Sequence, residues 1–219
     1  MAQHHLPPLR IVRHAFTAAD LCAGHAVLDF VNTAAGLNRD PRDWLDSYGA
    51  LLDWAALSGL FDASLLSVLA TRSRKDPRKA NAALAGARNL RDALYALVHH
   101  HREAIAAPIS AVEILQHWCR RAGGAMTLTP IADGVLQPSL EHCGLDAIAA
   151  SIALGAADLF SRPLNGRFGV CQGHNCGWVF LDTSPSRRRR WCDMKTCGNA
   201  AKASRHYRRS RTERPASDR

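Results

Sequence analysis

The sequence lacks the features that mark membrane and secreted proteins. Within its 219 residues, charges or amides interrupt every candidate for the roughly 18 apolar residues that a membrane-spanning helix needs. The first residues lack the basic and apolar regions of a secretion signal. The seven cysteines are an odd number without a disulfide framework. These absences predict a soluble protein of the reducing cytoplasm, without a membrane partner.

Motifs of the common enzyme classes are also missing. The sequence contains no glycine-rich phosphate loop, no G-x-S-x-G elbow and no H-E-x-x-H helix. No pair of acidic and basic side chains stands at a recognisable catalytic spacing. We therefore expect a binding protein rather than an enzyme, and we rank an enzyme of unrecognised type third among three hypotheses.

The charged residues divide the chain into two unlike parts. Residues 1–165 contain 15 Lys and Arg against 15 Asp and Glu, whereas residues 166–219 contain 13 against 4. The whole formal excess of +9 therefore lies in the last quarter of the chain. We expect two domains, 1–165 and 166–219, with the break in the segment 161–166, which contains Pro and Gly.

The basic part contains two equally spaced cysteine pairs. Cys171 and Cys176 form one C-x4-C pair, and Cys192 and Cys197 form the other. Two such knuckles can bind one Zn²⁺ ion tetrahedrally, and four thiolates leave no position open for water or substrate. We therefore predict one structural zinc ion on these four cysteines. His174 could replace one of them at C-x2-H spacing.

Hydrophobic periodicity predicts a mostly helical N-terminal domain. Apolar residues recur at helical spacing in segments 26–34, 44–60, 62–69, 77–105, 110–124 and 145–160. Asp43 or Ser47 is suited to cap the second helix, and Gly59 to end it in the left-handed conformation. The pair Gly123 and Gly124 is expected to end the fifth helix.

The period changes to that of strands after this glycine pair. Segments 125–131 and 135–140 flank Asp133-Gly134, a dipeptide suited to a hairpin turn. We expect a small β-ribbon whose prolines favour exposed edges, with residues 10–16 as a candidate third strand.

The cysteine pairs are embedded in a pattern typical of a small zinc finger. Strands are predicted at 167–170 and 177–181, and a basic helix at 198–211 follows the last cysteine. Knuckle, hairpin and helix in this order are the layout of a treble-clef finger. The predicted fold class is α+β, mostly α: a helical N-terminal domain with a small β-ribbon, followed by a treble-clef-like zinc finger.

Basic side chains surround the second cysteine pair and favour a nucleic-acid partner. Residues 187–190 are four consecutive arginines, and the predicted helix presents cations on adjacent turns. The candidate nucleic-acid-binding residues are Arg187, Arg188, Arg189, Arg190, Lys195, Lys202, Arg205, Arg208 and Arg209. Basic tails also bind RNA loosely or contact acidic proteins, and those partners remain the alternative.

Both parts of the chain resemble one known family. FLDTSPSRRRRWCDMKTCGNAAKA, residues 180–203, resembles the CGNR zinc finger, and LCAGHAVLDFVNT, residues 21–33, resembles the start of the ABATE domain that accompanies it. The resemblance implies a stress-induced transcription regulator whose treble-clef-like zinc module binds DNA. Ala200 stands where the motif has its arginine, so any contact of that arginine is absent here unless Lys202 or Arg205 supplies it.

A polar group interrupts the apolar face of the first predicted helix. Asp29, Asn32 and Thr33 share one edge of that helix, and buried polar groups need partners. They form either a structural hydrogen-bond network or the polar end of a ligand pocket.

Taken together, these features predict a zinc-dependent regulator that binds double-stranded DNA, with a helical domain that dimerises or binds a small effector. The alternative is an adaptor for RNA or an acidic protein.

Overall fold

The computed structural model of the chain describes residues 5–163 and 167–212, without the side chains of residues 132, 206 and 208–212. It confirms an α+β fold that is mostly α. The helices are α1 (Ala26–Val31), α2 (Tyr48–Ser58), α3 (Ala63–Lys75), α4 (Pro77–Arg102), α5 (Ile109–Ala125), α6 (Ala147–Ser161) and α7 (Asn199–Thr212). The predicted domain break overlaps residues 164–166, which lie outside the described residues, so the domain division stays a prediction.

Three small sheets accompany the helices. The strands are β1 (Arg10–Ile11), β2 (Ala34–Ala35), β3 (Arg42–Asp43), β4 (Thr127–Pro130), β5 (Leu136–Ser139), β6 (Phe168–Val170) and β7 (Val179–Leu181). The first sheet has the order β1-β3-β2, with β1 parallel and β2 antiparallel to β3. The pairs β4–β5 and β6–β7 are antiparallel hairpins.

The long helix α4 and the apolar helix α6 organise the core. Leu90, Leu94 and Val98 on α4 are fully buried, as are Ile148 and Ala153 on α6. Helix α6 packs against α1, α4 and α5. Buried residues of β6 and β7 belong to the same hydrophobic cluster as these helices. The two parts of the chain therefore share one core.

One core segment has the length and composition of a membrane-spanning helix. Residues Glu141–Ser161 have a mean hydropathy of 1.5, and half of the most apolar window is buried inside the protein. Asp146 and Asp158 interrupt this segment, so it is not an uninterrupted apolar run, and Ala, Ile and Leu dominate it because it packs on three neighbouring helices. Core helices of soluble proteins have the same composition.

The ends of α2 match the sequence expectation, whereas the end of α5 does not. Helix α2 begins at Tyr48, after the Ser47 hydroxyl accepts a hydrogen bond from the Ala50 N–H, and it ends at Gly59 with φ of 66°. Asp43 does not cap it. Helix α5 continues through the glycine pair to Ala125, since Ala122 is fully buried and packing outweighs the low helix propensity of Gly.

The β-ribbon is confirmed without its third strand. Strands β4 and β5 pair Leu128 with Pro138 and Pro130 with Leu136, and all four residues are exposed. Residues 10–11 pair instead with β3, in the first sheet. The proposed third strand is therefore wrong.

A buried ion pair fixes β3 to the core. The Arg91 guanidinium donates to both carboxylate oxygens of Asp43, at 2.7 and 3.0 Å, and Asp43 also accepts from the Leu45 N–H at 3.0 Å. Arg91 is only 1% exposed. A buried charge pair of this kind is strongly destabilising to break, because one charge is left without its partner. The Arg91–Asp43 ion pair therefore fixes β3 and the loop that precedes it, residues 36–40.

Candidate metal centre and adjoining basic surface

Four cysteine thiols converge at the start of the C-terminal part. The Sγ atoms of Cys171, Cys176, Cys192 and Cys197 all lie within 4.8 Å of one another. The Cys176–Cys192 and Cys192–Cys197 sulfur pairs are 3.7 and 3.6 Å apart. A tetrahedron with Zn–S bonds of about 2.3 Å has sulfur–sulfur edges of about 3.8 Å. The cluster therefore fits one zinc ion with sulfur in every position.

Backbone turns bring the four sulfurs together. Cys171 follows β6 directly, and Cys176 closes a turn in which its N–H donates to the Gly173 carbonyl at 3.2 Å. Cys197 lies in a single π-helical turn, Met194–Gly198, that leads into α7. The Gly173 N–H points at the Cys171 sulfur at 3.4 Å, as outer hydrogen bonds to metal-bound thiolates do.

The pKa values of the cysteine thiols also favour a bound cation. Hydrogen bonds from Cys176 and Cys192 lower the pKa of the Cys171 thiol. The pKa values of the Cys176 and Cys192 thiols are raised, first of all by their hydrogen bonds with Cys171. The cluster thus accommodates one thiolate readily, and further thiolates need a positive ion between them. Zn²⁺ supplies that charge.

The alternative ligand His174 does not join the cluster. Its side chain is exposed, and Nε2 lies 2.7 Å from Nη1 of Arg39. Among the described residues, the group able to hold a metal consists of the four cysteines alone.

A loop of the helical domain encloses the first cysteine pair. This clasp loop, residues 36–40, lies between β2 and β3. The Asn38 amide donates to the carbonyls of Cys171 and Gly173, at 3.3 and 2.6 Å, and the Leu37 N–H donates to the Cys176 carbonyl at 2.8 Å. These bonds satisfy carbonyls of the metal-binding turn. Local sequence patterns do not indicate the clasp loop, because its residues precede the knuckle by more than 130 positions.

The clasp fits only because the finger has a glycine there. Gly177 has φ of 78°, and a Cβ on it would lie 2.8 Å from the Leu37 Cβ and 2.9 Å from the Asn38 Oδ1. Both the backbone conformation and the close approach exclude a larger residue.

The polar group at the end of α1, which stops at Val31 so that Asn32 and Thr33 follow the helix, binds the finger and the local backbone. Asn32 exchanges two hydrogen bonds of 2.9 Å with the backbone of Val179 in β7. Asp29 Oδ1 accepts from the Ala23 N–H at 2.9 Å, and the Thr33 hydroxyl donates to the Phe30 carbonyl at 2.8 Å. The geometry favours the structural network over the polar end of a ligand pocket. Burial raises the pKa of Asp29 to about 6, against the hydrogen bond from Ala23 and the charge of Arg189.

The arginine loop, residues 183–190, is held in place by Asp182, which precedes it, and by its own Arg189. Asp182 accepts hydrogen bonds from the Ser184 N–H and hydroxyl and, at 2.9 Å, from the Arg189 N–H. The Arg189 guanidinium donates to the carbonyls of Cys22, Leu181, Trp191 and Cys192 and lies 4.5 Å from the centre of the Phe180 ring. Arg189 is thus committed to contacts within the protein.

The other candidate cations are placed differently. The side chains of Arg187, Arg188, Arg190, Lys195, Lys202 and Arg205 are exposed. Arg190 also donates through Nε to Gln172, at 2.8 Å. Arg208 and Arg209 belong to α7, but their side chains lie outside the described residues. Ala200, which replaces the motif arginine, is exposed on the first turn of α7.

The fold and the cysteine cluster define a zinc-finger protein with a helical N-terminal domain. Family models agree over nearly the whole chain: residues 24–163 match "ABATE: Putative stress-induced transcription regulator", and residues 167–210 match the CGNR zinc finger. The chain belongs to this ABATE family of transcription regulators, carries the CGNR finger, and binds one zinc ion. A comparison with curated proteins gave no match.

Proposed function

We propose that the protein is a cytoplasmic, zinc-dependent regulator that binds double-stranded DNA through its finger. The observation that supports this most is the direct attachment of the basic surface to the metal site. The arginine loop is followed directly by Trp191 and Cys192, and α7 begins two residues after Cys197. The first knuckle lies inside the β6–β7 hairpin and the second knuckle leads into α7, and this arrangement supports a treble-clef fold.

The exposed cations suit a phosphate backbone. Arg187, Arg188 and Arg190 precede the second knuckle, whereas Lys195, Lys202 and Arg205 follow along the π-turn and α7. Lys202 and Arg205 are three residues apart and share a helix face. Six phosphate contacts give a slope of log K against log salt of about −5.

The test is selection of bound fragments from random genomic DNA by the zinc-loaded protein, followed by competition at moderate salt. The proposal predicts enrichment of a common duplex sequence that resists competitor DNA, with a salt slope near the value above. Binding that is indifferent to base sequence, or stronger for RNA of the same length, contradicts it and favours the adaptor for RNA or an acidic protein.

Effector binding at Asp29, Asn32 and Thr33 is not part of the proposal, because each of these side chains is hydrogen-bonded to the protein backbone. The chemistry of the metal site supports the proposed cytoplasmic location, because thiols are kept reduced there and so stay available for zinc.

A second copy of the chain is the proposed partner of the β-ribbon. Leu128, Pro130, Leu136 and Pro138 form one exposed face on which each leucine stands opposite a proline. Within one ribbon, a local two-fold axis relates Leu128 to Leu136. When a second copy stacks face to face on this surface, the leucines of one copy lie against the prolines of the other. Both copies then contribute the same residues, which makes the contact isologous. Asp133 is the one charged residue in segment 126–140. Two copies of this face can therefore meet with little repulsion between like charges, unlike two copies of the basic finger. An isolated two-stranded ribbon is marginally stable by itself.

Light scattering of Leu128→Lys/Leu136→Lys tests the dimer. We expect a dimer for the natural chain and a monomer for the double variant, while Ile109→Lys, at an exposed apolar residue on another element, stays dimeric. A monomer in all three samples contradicts the ribbon contact.

A further inference from the structure

A surface cleft lies between the arginine loop and the π-turn that carries Cys197. It has a volume of about 410 Å³, within the range of roughly 300–1,000 Å³ found for small-ligand sites. Its lining residues are Arg188, Arg189, Arg190, Trp191, Asp193 and Met194. None of these residues is a zinc ligand, so the cleft is distinct from the metal site although the two share the same turns.

The floor of the cleft is apolar and held in place. Met194 is 49% exposed, so part of its apolar side chain is accessible in the cleft. A Cβ on Gly198 would lie 2.7 Å from the Met194 sulfur and 3.3 Å from Cδ1 of Trp191. The Met194 thioether therefore lies directly over Gly198 and beside the Trp191 indole. The glycine of the motif allows this close packing.

The rim of the cleft is cationic. Arg188 is exposed, and the Arg190 guanidinium lies 5.5 Å from the centre of the Trp191 ring while Gln172 holds its Nε. Asp193 supplies the one carboxylate of the lining, and it already accepts hydrogen bonds from the N–H and hydroxyl of Thr196, at 2.9 and 3.1 Å. The rim therefore favours an anion.

We propose that this cleft holds one nucleotide unit of the bound DNA. The deoxyribose and base edge lie against Trp191 and Met194, and Arg188 and Arg190 hold the adjacent phosphates. A ligand with phosphate alone would leave the apolar floor in water, and an apolar ligand would leave the arginines without a partner. This inference rests on the proposed function, since it requires that the finger binds DNA, and it makes Met194 a contact to sugar and base rather than to charge.

The methionine methyl groups provide a direct probe. The chain has three methionines, so ¹³C-methyl labelling gives a spectrum simple enough to assign with Met194→Leu. The zinc-loaded protein is titrated with a mixed-sequence 20-base-pair duplex and, separately, with inorganic polyphosphate, a polyanion that has neither sugars nor bases. We expect the Met194 methyl signal to shift with the duplex and to show NOEs to sugar or base protons, whereas polyphosphate should shift it much less. Met126, an exposed methionine beside the β-ribbon, is the internal control.

Binding measurements complete the test. Met194→Ala should weaken duplex binding roughly tenfold through lost apolar contact without changing the salt slope, whereas Arg188→Ala should make the slope less negative by about 0.9. Duplex binding with an unshifted Met194 signal and an unaffected Met194→Ala variant overturns the nucleotide cleft and leaves the proposed function standing. Failure of the zinc-loaded natural chain to bind the duplex overturns both.

Discussion

At the scale of single residues, neighbours in the arginine run have different roles. Arg189 binds four backbone carbonyls from three segments and covers Phe180, whereas Arg188 extends into solvent. A run of identical residues carries no sign of this difference in the sequence. It arises because Asp182 fixes the loop so that one guanidinium turns inward.

Alanine substitution should separate the two arginines. Arg189→Ala leaves several carbonyls without a donor, and we expect it to lower the free energy of unfolding by roughly 2–4 kcal/mol. Arg188→Ala should change it by less than about 0.5 kcal/mol and weaken DNA binding instead. Denaturant unfolding and DNA titration of both variants check this. Equal stabilities would contradict the structural role of Arg189.

The buried carboxyl group of Asp29 should make stability depend on pH. Its pKa of about 6 in the folded protein lies above the ordinary value of 3.8. As the pH rises from about 4 to 6, the unfolded chain loses this proton while the folded chain keeps it, so stability falls, by up to about 3 kcal/mol. Above pH 6 the loss is complete.

Asp29→Asn removes this titration and keeps an oxygen to accept from the Ala23 N–H. Between pH 4 and 6, the natural chain should lose stability while the variant does not lose this contribution. We therefore expect the free energy of unfolding of the variant, relative to that of the natural chain, to rise over this range, as measured by denaturant unfolding at each pH. Asp53→Asn, at an exposed residue of α2, is the control. A difference that is constant with pH would show that Asp29 has no raised pKa.

At the scale of elements, α7 contains an informative departure from the motif. Ala200 is exposed near the first turn of the helix, where the motif has arginine. Ala200→Arg should strengthen DNA binding a few-fold and make the salt slope more negative by about 0.9. It should cost a few tenths of a kcal/mol of stability, because a cation near a helix N-terminus is unfavourable. Ala200→Met is the uncharged control. If Ala200→Arg binds DNA no more tightly than Ala200→Met, residue 200 does not contact DNA.

The elements show which features local sequence can predict. The zinc site was predicted because ligand type and spacing within 27 residues, 171–197, determine it. The β-ribbon and Gly59 at the end of α2 likewise follow from short-range turn chemistry. The clasp loop and the Asn32–Val179 pair did not follow, since they join residues 133 to 147 positions apart. Local patterns contain no information on which distant backbone groups will meet.

At the scale of the whole molecule, the zinc finger and the helical domain are joined tightly. Asn32 pairs with β7, the clasp loop holds the first knuckle, and the Leu181 N–H donates to the Ala23 carbonyl at 2.8 Å. Phe180 is fully buried in the shared core. Such docking gives the basic surface a fixed orientation relative to the helical domain, and with it to the proposed dimer.

Removing zinc should therefore disturb more than the finger. We expect chelation to raise the amide hydrogen exchange of α1 and of the clasp loop along with that of residues 167–200, because these segments share hydrogen bonds with the knuckle. Helix α5, for which we find no hydrogen bond to the finger among the described residues, should change least. Faster exchange confined to the finger would mean that the two parts fold independently.

The central claim is that one zinc ion on four cysteines organises the surface proposed to bind DNA. The most direct measurement combines elemental analysis and duplex titration on a single preparation, before and after chelation, with Cys197→Ser in parallel. The account predicts one zinc per chain, duplex binding that is lost on chelation and restored by added zinc, and neither property in the variant. Absence of stoichiometric zinc, or duplex binding that persists without it, would contradict the account.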